Sequence, residues 1–297
     1  MNGSFKLLNF QASADSLEAE LVFPAGGVWF AGHFPGFPVL PGVAQLFFTR
    51  HLARKAFADF PDAGLYRKIK FRRLVRPDEH VQLKVERKGA GMFSFEMSVG
   101  GAVASCGVVE GGLEAEGRQE PKASADRLAD LPTINRQTSA AQRVLDGLLP
   151  HRPPMTMLAE AVSIGEGVCE AVADTSGDSV FYDPEMGGVP ACAALEYMAQ
   201  TMALVVGEAR RRKGEAPKVG FVLGTRRLHV GVPVFESGKR YVTAAKCVYA
   251  DDEFGSFDCS ISGSEGEVAA ASLTAYQPSD EMLAEGMMTL KVKSPKV

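Results

Sequence analysis

The sequence predicts an α+β fold in which two antiparallel sheets each wrap around a long central helix, with the two units paired inside one chain. Three observations predict it: the same order of elements occurs twice, each copy has a helix that is apolar nearly all round, and strands of alternating polarity follow each helix. A helix without a polar face must be enclosed by other elements. Two similar units in one chain are expected to pack as an intrachain pseudo-dimer.

The composition is that of an ordinary globular protein. The chain has 297 residues, a formal net charge of −4, 46% hydrophobic residues and 23% charged residues. The length suits two domains, and no apolar run is long enough to cross a membrane. The acidic balance argues against nucleic acid as a partner, and five scattered cysteines without a CxxC pair predict reduced thiols and no metal site. Because the first residues do not form a signal peptide, we expect a cytoplasmic protein.

The first unit is placed at residues 1–115. A loop rich in glycine and proline, GHFPGFPVLP, leads into an apolar helix that begins at Gly42, and proline just before a helix is a common start signal. Apolar and polar residues then alternate over 81–86 and 93–99, which predicts half-buried antiparallel strands.

The second unit, placed at residues 143–280, repeats this order. GGVP opens an apolar helix that ends at Lys213-Gly214, and SFDCSI with GEVAAASLTAY is expected to form the last hairpin. Between the units, residues 116–142 are polar and predict a linker with one short helix. Residues 281–297 are expected to form a tail.

Glu196 is the residue that packing explains least. It lies in ACAALEYMAQ among alanine, leucine and methionine, where an unpaired buried carboxylate costs roughly several kcal/mol. Gln200, four residues later, lies on the same helix face and is expected to orient it. Such a carboxyl is expected to serve as a general acid, because desolvation raises its pKa. The alternative is a structural glutamate that is satisfied locally.

His33 lies in the glycine- and proline-rich loop, which should hold the imidazole in one place. Each half lacks what the other has: Phe47 stands at the position equivalent to Glu196, and Tyr182 at the position equivalent to His33. His33 and Glu196 should therefore meet across the pseudo-dimer interface as one acid/base pair. The opposite pair should be inactive.

The motif GHFPGFPVLPGV resembles the signature of the FabA/FabZ-type 3-hydroxyacyl-acyl-carrier-protein dehydratases. The first half resembles ApeI-type dehydratases of aryl polyene biosynthesis, and the second half, with LLPHRPPM, VPACAALEYMAQ and GFVLGTRRL, resembles their ApeP-type partners. The resemblance covers about residues 20–112 and 145–278. It implies a double hotdog fold with active sites where two units meet, with His33 as the catalytic histidine and Glu196 as the catalytic carboxylate.

The resemblance also implies a reaction, the dehydration of 3-hydroxyacyl thioesters to trans-2-enoyl thioesters in fatty acid, polyketide or aryl polyene biosynthesis. The substrate would be carried on phosphopantetheine, so we expect an acyl carrier protein as partner and no separate cofactor, with no nucleic acid, no membrane and no metal involved. A further homo-oligomer stays open. The expected donors to the thioester oxyanion are the backbone N–H groups of Gly36, Ala191 and Cys192.

Two other functions stay open, a hotdog thioesterase whose carboxylate activates water and a non-catalytic scaffold that binds acyl chains or a partner dehydratase. A nucleophilic Cys192 is the alternative to acid/base catalysis by His33 and Glu196.

His151 is expected to position the first strand or loop of the second unit. Arg210 to Lys213 suit a helix C-terminus, with docking of an acidic partner as the alternative. Six other cations are expected on solvated strand faces, with contact to the phosphate of phosphopantetheine or to an acidic carrier protein as the alternative: Lys68, Lys70, Arg72, Arg73, Arg226 and Arg227.

Overall fold

The first half of the chain builds six strands around one long helix. The computed structural model describes residues 5–112 and 139–290. The first half contains helix α1, Gly42–Ala56, and the strands β1 Lys6–Ala12, β2 Ser16–Val22, β3 Gly64–Phe71, β4 His80–Gly89, β5 Met92–Val99 and β6 Ala102–Glu110.

The second half repeats this arrangement with additions at its beginning and end. A short 3₁₀ turn, Ala191–Ala193, leads into its long helix. Its helices are α2 Ser139–Leu148, α3 Ala194–Arg212 and α4 Asp280–Ala284, and its strands are β7 Leu158–Ile164, β8 Val168–Ala173, β9 Gly188–Pro190, β10 Phe221–Val230, β11 Val234–Glu236, β12 Val242–Ala250, β13 Phe254–Gly263 and β14 Gly266–Tyr276.

The strands of the two halves meet edge to edge. Twelve of the described strands form one antiparallel sheet in the order β1-β2-β4-β5-β6-β3-β10-β14-β13-β12-β8-β7, while β9 and β11 pair separately. The junction is between β3 and β10, where Tyr66 lies opposite Leu228. The α+β class is confirmed, but the two expected sheets are continuous. The junction pairs backbone groups that would otherwise be exposed at two sheet edges.

The two long helices lie in the core, as their apolar sequences predict. Most residues of α1 and α3 are buried, including the charged and polar side chains Arg50, Glu196 and Gln200. The sheet encloses the helices with every second residue of its strands. Along β4, for example, Val81, Leu83 and Val85 are buried and their neighbours are not. No helix within the described ranges is long and apolar enough to cross a membrane.

Residues 113–138, most of the predicted linker 116–142, lie outside the described residues, as do residues 291–297 of the tail. Helix α2 begins at Ser139, within the end of the predicted linker. The described part of the tail returns to the first half, where Leu74 N–H donates to Met288 O (2.8 Å) and Leu290 N–H donates to Arg72 O (2.8 Å). The unit boundaries stay a prediction.

Candidate active site

His33 is held by its own loop, between β2 and α1. Its Nδ1 lies 2.9 Å from the carbonyl oxygen of Val39, and Val39 N–H donates to His33 O over 3.0 Å. Because a carbonyl can only accept, Nδ1 carries the proton and Nε2 is the free basic nitrogen. The loop reverses direction at Pro35-Gly36, where Gly36 has a φ of +77° that suits glycine.

Glu196 lies in the first turn of α3 and is held by Gln200. Gln200 Nε2 donates to Glu196 Oε1 (2.7 Å) and to Met155 O (2.8 Å), and Met157 N–H donates to Gln200 Oε1 (2.8 Å). Gln200 is itself fully buried. The carboxyl group is therefore fixed by a side chain that is anchored to the backbone on the other side.

His151 belongs to the site, although we expected it only to position a strand or loop. Its Nε2 lies 3.5 Å from Glu196 Oε1, and its ring centroid lies 5.5 Å from that of His33. One potential ligand atom from each of His33, His151 and Glu196 lies within 4.8 Å of the other two. In the sequence, the prolines around His151 in LLPHRPPM indicate a rigid loop, because proline fixes the backbone φ angle. The prolines around His33 have the same effect.

Gly32 lets the two histidine loops approach each other. Arg152 N–H donates to Gly32 O over 3.0 Å, and a Cβ atom added to Gly32 would lie 1.8 Å from Arg152 O. Gly32 also has a φ of +79°, in the left-handed region. Only glycine fits this contact between the halves without a backbone shift.

Burial sets the charge of all three side chains. Desolvation lowers the pKa of His33 to about 4, lowers the pKa of His151 well below its usual range, and raises the pKa of Glu196 to about 7. The hydrogen bond from Gln200 opposes the shift at Glu196. Near neutral pH both imidazoles are uncharged and Glu196 retains its proton in a large share of molecules, so the contact between His151 and Glu196 is a neutral one rather than an ion pair.

The three side chains open onto a cavity of about 500 Å³. One face of α3 lines it with Leu195, Ala199, Met202, Ala203 and Val206, and Val43 and Phe71 of the first half lie among its other lining residues. Gln45 also lines the cavity, and its Oε1 is buried with no hydrogen-bond partner among the described residues. The cavity thus combines apolar side chains with the polar groups of His33, His151, Glu196 and Gln45, and its lining also includes charged residues such as Arg73 and Arg210.

The cavity reaches the surface near the end of α3, where the charged cluster predicted at 210–213 is largely paired. Arg210 bonds Glu215 over 3.0 Å, while Arg211 and Arg212 both bond Glu208, over 2.8 and 3.0 Å. These ion pairs favour the helix-terminus interpretation of the cluster over docking.

The residues predicted to donate to the oxyanion lie outside the lining of the cavity. Ala191 N–H donates to Pro233 O over 3.0 Å, and Gly36 is exposed at the tip of its turn. Neither residue lines the cavity, and Cys192 does not line it either. Burial raises the pKa of the Cys192 thiol to about 11, which argues against a nucleophilic thiolate.

The N-terminus of α1 supplies backbone N–H groups that are free to donate. Gly42 and Val43, the first two residues of α1, line the cavity. Ala44 N–H is the first in this helix to donate back to Pro41 O, and within the described chain neither Gly42 N–H nor Val43 N–H has a backbone acceptor. The N-terminus of a helix with free N–H groups favours negative charge.

The second, predicted inactive position is filled by aromatic rings. The ring of Phe47 lies 5.8 Å from that of Trp29 and 5.5 Å from that of Phe181, and Trp29 and Phe181 are 5.3 Å apart. All three side chains are buried. Tyr182 follows Phe181 directly, so the aromatic cluster occupies the place where a second acid/base pair would need open space.

Among the described residues, His33, His151 and Glu196 are also the one group of histidine, cysteine and acidic side chains whose arrangement could hold a metal ion. Two imidazoles and a carboxylate are ligands that zinc accepts. A metal would occupy the free Nε2 of His33, the same nitrogen that a general base uses.

Two family models match different parts of the chain. Residues 9–107 match the family model of ApeI dehydratases and residues 144–286 match that of ApeP dehydratases. No curated protein sequence matches the chain. One chain of a solved structure, the dehydratase heterocomplex ApeI:P from Xenorhabdus doucetiae, is 28% identical over 48% of this chain and 95% of its own length, with a TM-score of 0.45.

Two solved structures cover nearly the whole chain. The dehydratase domain of a mycocerosic acid synthase-like polyketide synthase is 19% identical, with a TM-score of 0.61, over 93% of this chain and 96% of its own. The dehydratase domain of the CurF module of curacin polyketide synthase is 11% identical, with a TM-score of 0.60, over 92% of this chain and 97% of its own. They show that both halves together form one double hotdog.

Proposed function

We propose that this chain, which joins an ApeI-like unit to an ApeP-like unit, removes water from 3-hydroxyacyl thioesters at one composite site. One observation carries the proposal. A free imidazole nitrogen from the first half and a protonated carboxyl group from the second half converge in one buried centre beside a partly apolar cavity.

The geometry divides the chemistry between the two side chains. His33 Nε2 takes a proton from C2 of the substrate, and Glu196 gives its proton to the C3 hydroxyl group, which leaves as water. The electrons of the C2–H bond form the C2–C3 double bond as the C3–O bond breaks. Each partner starts in the state that its step needs, because burial keeps His33 neutral and favours the protonated form of Glu196.

Negative charge that develops on the thioester oxygen needs hydrogen-bond donors. In this proposal the N–H groups of Gly42 and Val43 supply them, because both residues line the cavity with His33. Preorganised N–H groups in a site that excludes water stabilise such charge more than water does. The donors then come from the same half as the base.

An acyl carrier protein is the proposed carrier of the substrate. Lys68 and Lys70 of β3 and Arg226 and Arg227 of β10 are exposed near the line where the two strands pair, and exposed Arg72 follows β3 directly. We call these five residues the cationic seam. Arg73, the next residue, lines the cavity. Interfaces gain association rate and orientation from complementary charge, so this cationic seam suits an acidic carrier protein close to the cavity.

No cofactor or metal ion is proposed for the reaction, because removal of the C2 proton and protonation of the C3 hydroxyl oxygen need only a base and an acid. The proposed place of the enzyme is chain assembly, in fatty acid, polyketide or aryl polyene biosynthesis. Turnover should continue unchanged in the presence of EDTA. Loss of activity on chelation, restored by zinc, would instead favour the metal-binding use of His33, His151 and Glu196.

The test of the proposed function is incubation with a 3-hydroxyacyl thioester on a carrier protein, followed by mass spectrometry and by titration of free thiol. Dehydration gives a product lighter by one water with no thiol released. A thioesterase would release thiol, also from an acyl thioester without the 3-hydroxyl group. A high share of protonated Glu196 argues against that alternative, since activation of water needs the carboxylate. Binding without turnover of either kind would support the scaffold.

The carrier is tested by charge reversal at the seam. Lys70→Glu combined with Arg226→Glu should raise KM for carrier-bound substrate at least about tenfold, because both changes weaken electrostatic association. The same variant should turn over a 3-hydroxyacyl N-acetylcysteamine thioester normally, since that small substrate needs no docking surface. Equal effects on both substrates would contradict the proposed role of the seam.

A further inference from the structure

Each dehydration leaves the two catalytic residues in the wrong protonation state for the next. His33 has gained the C2 proton, and Glu196 has lost its proton to the leaving water. Both side chains are buried, at 7% and 6% exposure, in the wall of the cavity. Before the next turnover His33 must lose one proton and Glu196 must gain one.

His151 lies close to both of these residues. Its Nε2 is 3.5 Å from Glu196 Oε1, its ring centroid is 5.5 Å from that of His33, and the nearest potential proton-carrying atoms of the three residues lie within 4.8 Å of one another. These separations are short enough for direct transfer after a small side-chain movement or for transfer through one water molecule.

We propose that His151 is a proton-relay residue that carries the proton from His33 back to Glu196 after each turnover. The inference rests on the proposed dehydration. The proton leaves Nε2 of the His33 imidazolium, binds a ring nitrogen of His151, and passes to the Glu196 carboxylate. One proton moves, no other bond changes, and both imidazoles end neutral beside a protonated carboxyl group.

A structural role does not explain His151. Its Nδ1 is buried with no hydrogen-bond partner among the described residues, whereas Nδ1 of His33 is tied to Val39 O. Buried histidines that only support a fold normally satisfy both ring nitrogens. Phe34 covers one side of the ring, with centroids 4.8 Å apart. A neutral imidazole that is restrained by packing and left with a free nitrogen can both accept and release a proton.

The test separates the first turnover from later ones. His151→Phe enzyme is mixed with excess 3-hydroxyoctanoyl N-acetylcysteamine thioester in a rapid-quench instrument, and enoyl product is measured by mass spectrometry. The first turnover begins with neutral His33 and protonated Glu196, so the relay predicts a product burst at near wild-type rate. The steady-state rate that follows should be at least about tenfold lower, and added imidazole should restore it.

His151→Gln is the second variant, since it keeps a polar side chain if phenylalanine disturbs folding. His229→Gln on β10, outside the cavity, is the matched histidine control and should behave as wild type. Equal slowing of the burst and the steady state would overturn the relay in favour of a positioning role. Unchanged rates in both His151 variants would overturn it as well. Failure of the wild-type enzyme to eliminate water would instead reject the proposed function.

Discussion

The side-chain amide of Gln200 donates a 2.7 Å hydrogen bond to Oε1 of Glu196, one helical turn earlier on α3. The same side chain is bonded to the backbone of Met155 and Met157, in the segment that follows His151. Gln200 therefore fixes the carboxyl group of Glu196 relative to the loop that carries His151.

Replacing Gln200 with leucine should lower kcat by about tenfold or more, because the carboxyl group loses the contact that orients it. Since the Gln200 hydrogen bond lowers the pKa of Glu196, its loss should also move the alkaline limb of the pH profile to higher pH. Gln142→Leu is the matched control, because Gln142 bonds an acidic side chain one turn away on α2. An unchanged profile in Gln200→Leu would contradict this role.

The pH dependence of kcat/KM should reflect the two buried catalytic groups. Activity should fall as pH rises through about 7, where Glu196 loses the proton that it donates. It should also fall toward pH 4, where His33 becomes protonated and cannot accept the C2 proton. The measurement is a pH–rate profile with the small thioester substrate. Constant activity from pH 6 to about 9 would show that Glu196 is not the acid.

The catalytic carboxyl should reduce stability at alkaline pH. The pKa of Glu196 is higher in the folded chain than its ordinary value of 4.5, so folding binds a proton and stability declines as pH rises from 4.5 through about 7. Glu196→Gln removes this cost and should raise the free energy of unfolding at pH 8 by up to about 3 kcal/mol, with little change near pH 4. Urea denaturation at both pH values tests it, with exposed Glu185→Gln as control. A less stable variant at pH 8 would contradict the prediction.

Gly32→Ala should impair catalysis by separating the two histidine loops. An added Cβ would overlap Arg152 O at 1.8 Å, so the backbone of one loop must move away from the other. We expect kcat to fall at least about tenfold, since small displacements of catalytic groups have large effects on rate. Gly36→Ala is the matched control, because Gly36 also has a positive φ but has open space around its Cβ position. Equal effects of the two changes would attribute the loss to backbone strain instead.

Restoring a glutamate in the first helix should not create a second site. Phe47→Glu places a carboxyl group among the buried rings of Trp29 and Phe181 and removes their contacts. We expect a loss of roughly 3 kcal/mol or more in unfolding free energy and no new activity, even when combined with Tyr182→His. Activity of this double variant in a His33→Ala background would contradict the prediction.

The two long helices, the strands of clearly alternating polarity and the pairing of His33 with Glu196 could be predicted because each depends on patterns that run along the chain. Phe47 and Tyr182 stand at the positions equivalent to Glu196 and His33 in the other half of the chain. The structure brings Glu196 and His33 together. The joining of β3 to β10 could not be predicted in this way, since it depends on which strand edges meet in space.

Other features depend on contacts between distant loops. Spacing alone does not show that the loop of His151 meets the loop of His33, which requires the contact between Gly32 and Arg152. The oxyanion donors were predicted wrongly at Ala191 because its N–H group is taken by Pro233, a partner far along the chain. Whether the N–H groups at a helix N-terminus stay free depends on the tertiary structure.

The proposed dehydration depends on one acid/base pair, His33 with Glu196, that removes water from a 3-hydroxyacyl thioester. The most direct measurement compares wild-type, His33→Ala and Glu196→Gln proteins for loss of water from the same thioester by mass spectrometry, with circular dichroism to verify folding. We expect turnover by the wild type and a loss of about 10²-fold or more in each folded variant. Near wild-type turnover in either folded variant would contradict it.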